Sequence, residues 1–240
     1  MAITHVANRV SLQTSQSALQ LLTPTGTLTD DLTVAIYYGE WAYTSYIPSG
    51  WSDILGTESS IWYGNYQNQD RARWAYRQWT STPPSSTAIS ASQYYYDKFG
   101  VAGSFRGVAS YGGRSSLKTI TSGTSISFNS VTTDTDGCLV LGLFGGYAGT
   151  GSVSSPTFPG DWTGYSSKSS YVPSRLGFIW QIQSSAGPIT PSSVTSWNRS
   201  FNSSVKGRAI TAWFRPIPDP PSFSYANDLL LRRRRYLQER

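Results

Sequence analysis

The chain has 240 residues, a formal net charge of +6, few charged side chains (13%) and many aromatic ones (14%). That length allows one large β domain or two small ones, and the Gly, Ser, Thr and ring content suits pleated sheets joined by turns rather than long helices. A single cysteine and a single histidine exclude an intrachain disulfide framework and leave Ser-His-Asp or Cys-His catalysis almost without candidates.

The charge is unevenly placed. Five of the positive charges, Arg232–Arg235 and Arg240, fall in the last nine residues, and the rest of the chain is nearly balanced. The basicity therefore belongs to a tail, not to a nucleic-acid-binding body. No apolar stretch is long enough to span a bilayer, and no basic segment followed by an apolar run opens the chain. The expectation is a chain without a signal peptide or membrane contact, made in a host cytoplasm.

Residues Met1–Thr29 alternate loosely and predict one or two strands. His5, close to the terminus with nothing nearby to orient it, reads as a surface side chain rather than a base. Leu32–Tyr38 predicts a strand with Leu32, Val34, Ile36 and Tyr38 on one face, ended by Gly39. Ile47–Trp51 is a Pro-Gly turn with a tryptophan behind it, and Ile61–Tyr66 a short aromatic strand. Arg71–Trp79 alternates most clearly: Ala72, Trp74, Tyr76 and Gln78 share one face, and Arg71, Arg73, Ala75 and Arg77 the other. Single-face charge of this kind is expected of a one-sided strand whose arginines pair with neighbouring carboxylates. Phe105 and Val108 are core candidates closing the first half, and Leu117–Phe128 alternates again.

Asp136–Tyr147 (DGCLVLGLFGGY) predicts a buried strand between an Asp-Gly turn and a glycine pair, with Cys138 a small buried hydrophobe. Leu176–Ile182 places Leu176, Phe178, Trp180 and Ile182 inward. Val194–Val205 is polar and β-prone. Ala209–Phe214 places Ile210, Ala212 and Phe214 on one face and Trp213 on the other. Pro216–Pro221 (PIPDPP) is a stiff extended connector. Beyond it, Asn227 or Asp228 caps a short predicted helix through Leu229, Leu230, Leu231, Arg232, Arg233, Arg234, Arg235, Tyr236 and Leu237. An isolated helix that short is marginal in water, so these nine residues are the expected partner-binding element.

Four phrases recur in the same order, roughly a hundred residues apart, which marks an internal duplication. Asp30–Trp41 matches Asp136–Tyr147, with Asp31 and Asp136 at equivalent turn positions. Ile47–Trp51 matches Phe158–Trp162, Arg71–Arg77 matches Arg175–Gln181, and Phe105–Gly107 matches Phe214–Pro216. The fold predicted is all-β: a single antiparallel two-sheet β-sandwich, jelly-roll-like, over 1–215, with repeats at about 23–108 and 129–215. The two copies are expected to interleave, and 216–240 forms an extended arm with the short helix.

No G-x-S-x-G, Walker A or H-E-x-x-H pattern is present. Asp134–Gly137 faintly resembles part of a calcium loop without its remaining ligands, so no metal, cofactor or catalytic residue is expected. The alternative to a structural role is carbohydrate or receptor binding through exposed rings. The candidates are Trp41, Trp62, Tyr63, Tyr94, Tyr95 and Tyr96, with Tyr43, Tyr46 and Tyr66 beside them.

The succession D-x-L-x-V-A-x-x-x-x-E-W, P-x-G-W, R-A-x-W-A-Y-R and F-R-G-V, followed by S-I-S-F-x-S-V-T-T-x-x-D-G-C-L-V-L and P-x-x-W, resembles a family of β-sandwich proteins. These are encoded among the structural genes of tailed bacteriophages and in related bacterial open reading frames. The pattern runs from about Thr23 to Arg215, and Pro48, Gly50, Trp51, Arg106, Pro159, Trp162 and Arg215 match as structural positions. The resemblance implies a non-enzymatic virion protein of the tail, baseplate, collar or capsid surface, present in multiple copies or as a homo-oligomer. Its expected partners are other virion structural proteins. A host-surface glycan is the partner of the alternative reading, and DNA contact by the arginine run is a lesser expectation. The proline connector and arginine run lie outside the pattern.

Overall fold

A computed structural model describes residues 2–13, 18–39, 47–55, 61–63, 70–89, 98–120, 125–147, 155–168, 174–195 and 207–219; at 13, 39, 61–63, 70–71, 120, 147 and 174 the description is of the backbone alone. The described residues form an all-β structure of antiparallel strands without a helix. The expected C-terminal helix and arm from 220 onward lie outside them.

The first half supplies β1 (Thr4–Gln13), β2 (Leu19–Leu22), β3 (Leu32–Gly39), β4 (Ser52–Asp53), β5 (Ile61–Tyr63), β6 (Asp70–Gln78), β7 (Ser86–Ile89) and β8 (Lys98–Arg106). Its main sheet has the order β1-β8-β3-β6-β4, with β5 also on β6, while β2 and β7 pair as a separate two-stranded flap. The second half supplies β9 (Val108–Arg114), β10 (Lys118–Ile120), β11 (Val131–Thr133), β12 (Cys138–Tyr147), β13 (Thr163–Lys168), β14 (Ser174–Gln183), β15 (Gly187–Ile189) and β16 (Gly207–Pro216). Here the order is β10-β16-β12-β14-β13, with β9 on the same edge of β16 as β10, and β11 and β15 form the flap.

The two orders are the same. Each half builds one complete sheet, so the expected interleaving does not occur. Strand alternation states which side chains share a face; it is silent on which strand lies alongside, and here consecutive segments of one half pair among themselves. The division falls at Gly107, between β8 and β9, which makes β1 the counterpart of β9 and β10 and widens the repeats beyond the expected limits. Even the irregularities correspond: β1 bulges at Val6, between His5 and Ala7, and β9 at Gly112, where Tyr111 and Gly113 face consecutive residues of β16.

Register fixes the equivalences. Leu32 pairs with Phe105, and Leu139 with Phe214, so Leu32 corresponds to Leu139, one residue later than matching Asp30 to Asp136 implies. The shared backbone feature is a left-handed turn residue, Asp30 at φ 66° and Gly137 at φ 73°. Asp31 therefore corresponds to Cys138, and the expected equivalence of Asp31 with Asp136 is corrected. A one-residue slip would send every side chain of the strand to the opposite face.

The alternation in β3 explains its place. Leu32, Val34, Ile36 and Tyr38 enter the central core between the sheets, where Leu139, Leu141 and Leu143 of β12 meet them. The opposite faces are also covered: Ala35 and Tyr37 pack beneath the first flap with Leu19, Leu21, Trp51 and Ile89, and Cys138, Val140 and Phe144 beneath the second with Phe128, Val131 and Trp162. Burial on both faces accounts for the near-continuous apolar runs of these two strands. Cys138 is a free, buried thiol. Trp51 and Trp162 are anchored alike, each backbone N–H donating to the carbonyl of Pro48 or Pro159 at 3.0 Å.

Two aromatic triads cross the core at equivalent places. His5 and Phe105 of one sheet meet Trp180 of the other, at 4.6 Å between His5 and Trp180. Tyr111 and Phe214 meet Tyr76 in the same way, with Tyr76 stacked on Tyr111 at 5.0 Å. His5 is exposed, as expected, but it is oriented: Asn8 Oδ1 lies 2.9 Å from its Nε2. Ile182 departs from expectation. It ends the core row of β14 but is 39% exposed, and no strand among the described residues passes over it.

Candidate functional site

Both sheet faces are covered, so the body presents its two ends. At one end Gln13, Lys98, Gly39 and Arg71 are successive cross-strand partners in the first sheet, and Ile120, Gly207, Gly146 and Arg175 in the second. The chain segments 40–46, 64–69, 90–97, 148–154, 169–173 and 196–206 each adjoin a strand end placed here, at Gly39, Tyr63, Lys98, Tyr147, Lys168 and Gly207. Of the ring candidates, Trp41, Tyr94, Tyr95 and Tyr96, with Tyr43, Tyr46 and Tyr66, lie in these segments and outside the described residues. Trp62 and Tyr63 are placed by backbone only, opposite Arg71 and Asp70 at the same end.

Two cations are buried beside this end. Burial lowers the pKa of Lys98 and of Arg175, and Arg175 donates from Nη1 to Ser166 Oγ at 3.0 Å. Of the β6 arginines, Arg73 pairs with a carboxylate as expected and Arg77 is held by a ring and a carbonyl, while the Arg71 side chain lies outside the description. Arg73 Nη1 donates to Asp53 Oδ2 at 3.0 Å, and Arg77 lies 4.3 Å above the Trp79 ring and donates to Ser49 O.

At the opposite end the N-terminal residues, the crossing at Gly107 and the exit of β16 converge. Each repeat closes here with an arginine–aspartate pair. Arg106 grips the buried Asp31 through Nε and Nη2, both at 2.9 Å, and Asp31 Oδ2 also accepts the Leu28 N–H at 2.8 Å. Arg215 grips the exposed Asp134 through Nε and Nη2, while its Nη1 donates to Tyr111 O and its plane lies 4.8 Å above Trp213. The Arg215 hydrogen bonds hold the Asp134 carboxyl below the usual aspartate pKa. Asp136 Oδ1 accepts the Ala186 N–H at 2.8 Å. The two acids of the calcium-like stretch are thus engaged in closing turns.

Beside Arg215 a groove of about 520 Å³ opens, with Ile182, Ile217 and Pro218 among its apolar lining and Asp136 and Asp219 as its acids. Its chemistry suits an apolar segment flanked by positive charge. Nothing local in the sequence marks it, since it forms where the N-terminus and the exit strand meet. The expected partner-binding element, Leu229–Leu237 with Arg232–Arg235, lies outside the described residues. No family model, curated protein or solved structure matches this chain.

Proposed function

We infer that the chain is a non-enzymatic virion structural protein of a tailed bacteriophage, a β-sandwich set on the tail, baseplate, collar or capsid surface and held to its neighbours by its C-terminal arm. The resemblance described above supports the placement in a virion. The polarity of the body carries the mechanical part: β16 runs from the loop-bearing end to the opposite one, so the chain leaves for the arm at the end farthest from the ring-rich segments. A covered, filled sandwich whose described chain leaves at one end is built as a spacer or docking module. Four leucines entering a neighbour's groove would contribute several kcal/mol, at about 1.5–3 kcal/mol for each fully buried side chain. The arginines add specificity and salt dependence. Deleting Asn227–Arg240 leaves a folded sandwich that no longer enters particles; normal incorporation contradicts the anchoring role.

A second reading has its own support. Trp62 and Tyr63 lie at the same end to which the segments holding Trp41 and Tyr94–Tyr96 attach, and aromatic platforms of that kind bind sugars. On that reading the loop end carries a host-surface glycan while the arm still anchors. Glycan-array binding lost on Trp62→Ala or Tyr95→Ala supports it, and an array without hits contradicts it.

A further inference from the structure

The repeat predicts where the chain should go after each half, and it fails at one place. After Arg106 the chain turns at Gly107, φ 84°, and crosses to the other sheet as β9. The crossing closes that end of the first repeat, because Gln78 Nε2 donates to Asp30 O at 2.5 Å and to Val108 O at 3.0 Å. After Arg215 the equivalent crossing would lead to the edge of β8 that faces away from β3. That edge is already occupied: Thr4 pairs with Arg106 and His5 with Phe105. The chain is turned aside instead, with the Ile217 N–H donating to Gly107 O at 2.8 Å, and Pro216–Asp219 run out along the rim. Ile182, the counterpart of Gln78, is left with an apolar face that no described strand crosses. The groove is the space left by that missing crossing.

We propose that this groove receives the Leu229–Leu237 segment of a second copy of the chain, so that two copies exchange arms and join through this end with their loop ends pointing apart. The last described residue, Asp219, lines the groove, and residues 220–240 follow it in the sequence. They carry five arginines against two acids, and Asp136 and Asp219 are the acids that line the groove. Four prolines between Pro216 and Pro221 make a semi-rigid extended exit. A stiff exit of this kind opposes the tight reversal that would return the arm to its own groove. Because groove and arm share one end, the exchange is reciprocal and gives a closed twofold dimer instead of an open chain. The inference rests on the reading of the arm as an anchor and names its receptor.

Sedimentation of the full chain tests it. The full chain is expected to be a dimer that weakens with salt. Removal of 220–240 gives a monomer, and Ile182→Asp, at a partly exposed rim position that tolerates change, weakens the dimer about thirtyfold, the size of a hot-spot contact. A full chain that stays monomeric overturns the proposal; if deletion of the arm still abolishes particle entry, the anchoring role survives with a different receptor. In a Cys138→Ala background, Asp136→Cys with Leu230→Cys is expected to form a disulfide between chains. A disulfide confined to single chains places the arm in its own groove and overturns the exchange, as does the absence of any cross-link.

Discussion

Behind β6 the first repeat is polar. Tyr37 stands opposite Arg73, which pairs with Asp53 of β4, and both ionic side chains are largely shielded, 12% and 18% exposed. Burial pushes the Tyr37 phenol far above its ordinary range, so it stays neutral beside them. At the same register in the second repeat stand Phe144, Gly177 and Gly164. There the Phe144 ring lies over Gly177 and the Phe158 ring over Gly164, so close that an added Cβ would meet them at 2.5 and 2.3 Å. One sheet fills the space with a hydrogen-bonded ion pair and the other with rings laid on bare backbone. Strand order is common to both, so it does not depend on either filling. It depends on what both retain: the inward row, the left-handed residue before β3 and β12, and the tryptophan turns.

The sharpest way to break the equivalence is Gly177→Ala. The new methyl would sit 2.7 Å from the Tyr165 carbonyl oxygen as well as against Phe144, and main chain held by β13–β14 pairing cannot retreat. The expected loss is about 3 kcal/mol in urea unfolding, the upper range for overpacking. Arg73→Ala, at the matching position, creates no clash but strands Asp53 without its cation, and about 2 kcal/mol is expected. If the two losses reverse in size, the second sheet is the more yielding one. Trp74→Phe tests the shared interior from the other side. It installs the residue that the second repeat already uses at Phe178 and removes an indole N–H that is buried without a partner, so the cost is about 1 kcal/mol or less.

The smallest effect concerns the closing ion pairs and appears as a pH dependence. Asp134 titrates below its ordinary 3.8 when folded, held by Arg215 hydrogen bonds. A depressed carboxylate stabilises the fold fully above the unfolded value and loses that contribution as pH falls through the folded one. Asp134→Asn should therefore lower the urea midpoint slightly near neutrality, and the gap to the parent chain should narrow below pH 3.8. A gap that widens on acidification would contradict the pairing.

The sequence made the face of each long strand legible, because a buried row must alternate: Leu32 to Tyr38, Ala72 to Tyr76 and Leu176 to Trp180 all point as their spacing implies. The duplication was legible in its tryptophan turns. Its register was not, because two aspartates invited a match that the backbone refuses. The position needs a residue that accepts positive φ, which Asp30 tolerates and Gly137 favours. The second flap was not legible because β11 and β15 are three residues each, Val-Thr-Thr and Gly-Pro-Ile, too short to show a period. The ion pairs Asp31–Arg106 and Asp134–Arg215 join residues 75 and 81 apart in sequence, and the groove is made by a crossing that fails to happen. Local pattern carries neither kind of information.

The account turns on the arm end being the attached end of the body. A photo-cross-linking residue placed at Tyr236 in one set of particles and at Lys168, an exposed strand end beside the loops, in another compares the two ends directly. The account predicts efficient capture of neighbouring virion subunits from Tyr236 and little from Lys168. Capture from Lys168 with a silent Tyr236 would show the body mounted the other way round and contradict it.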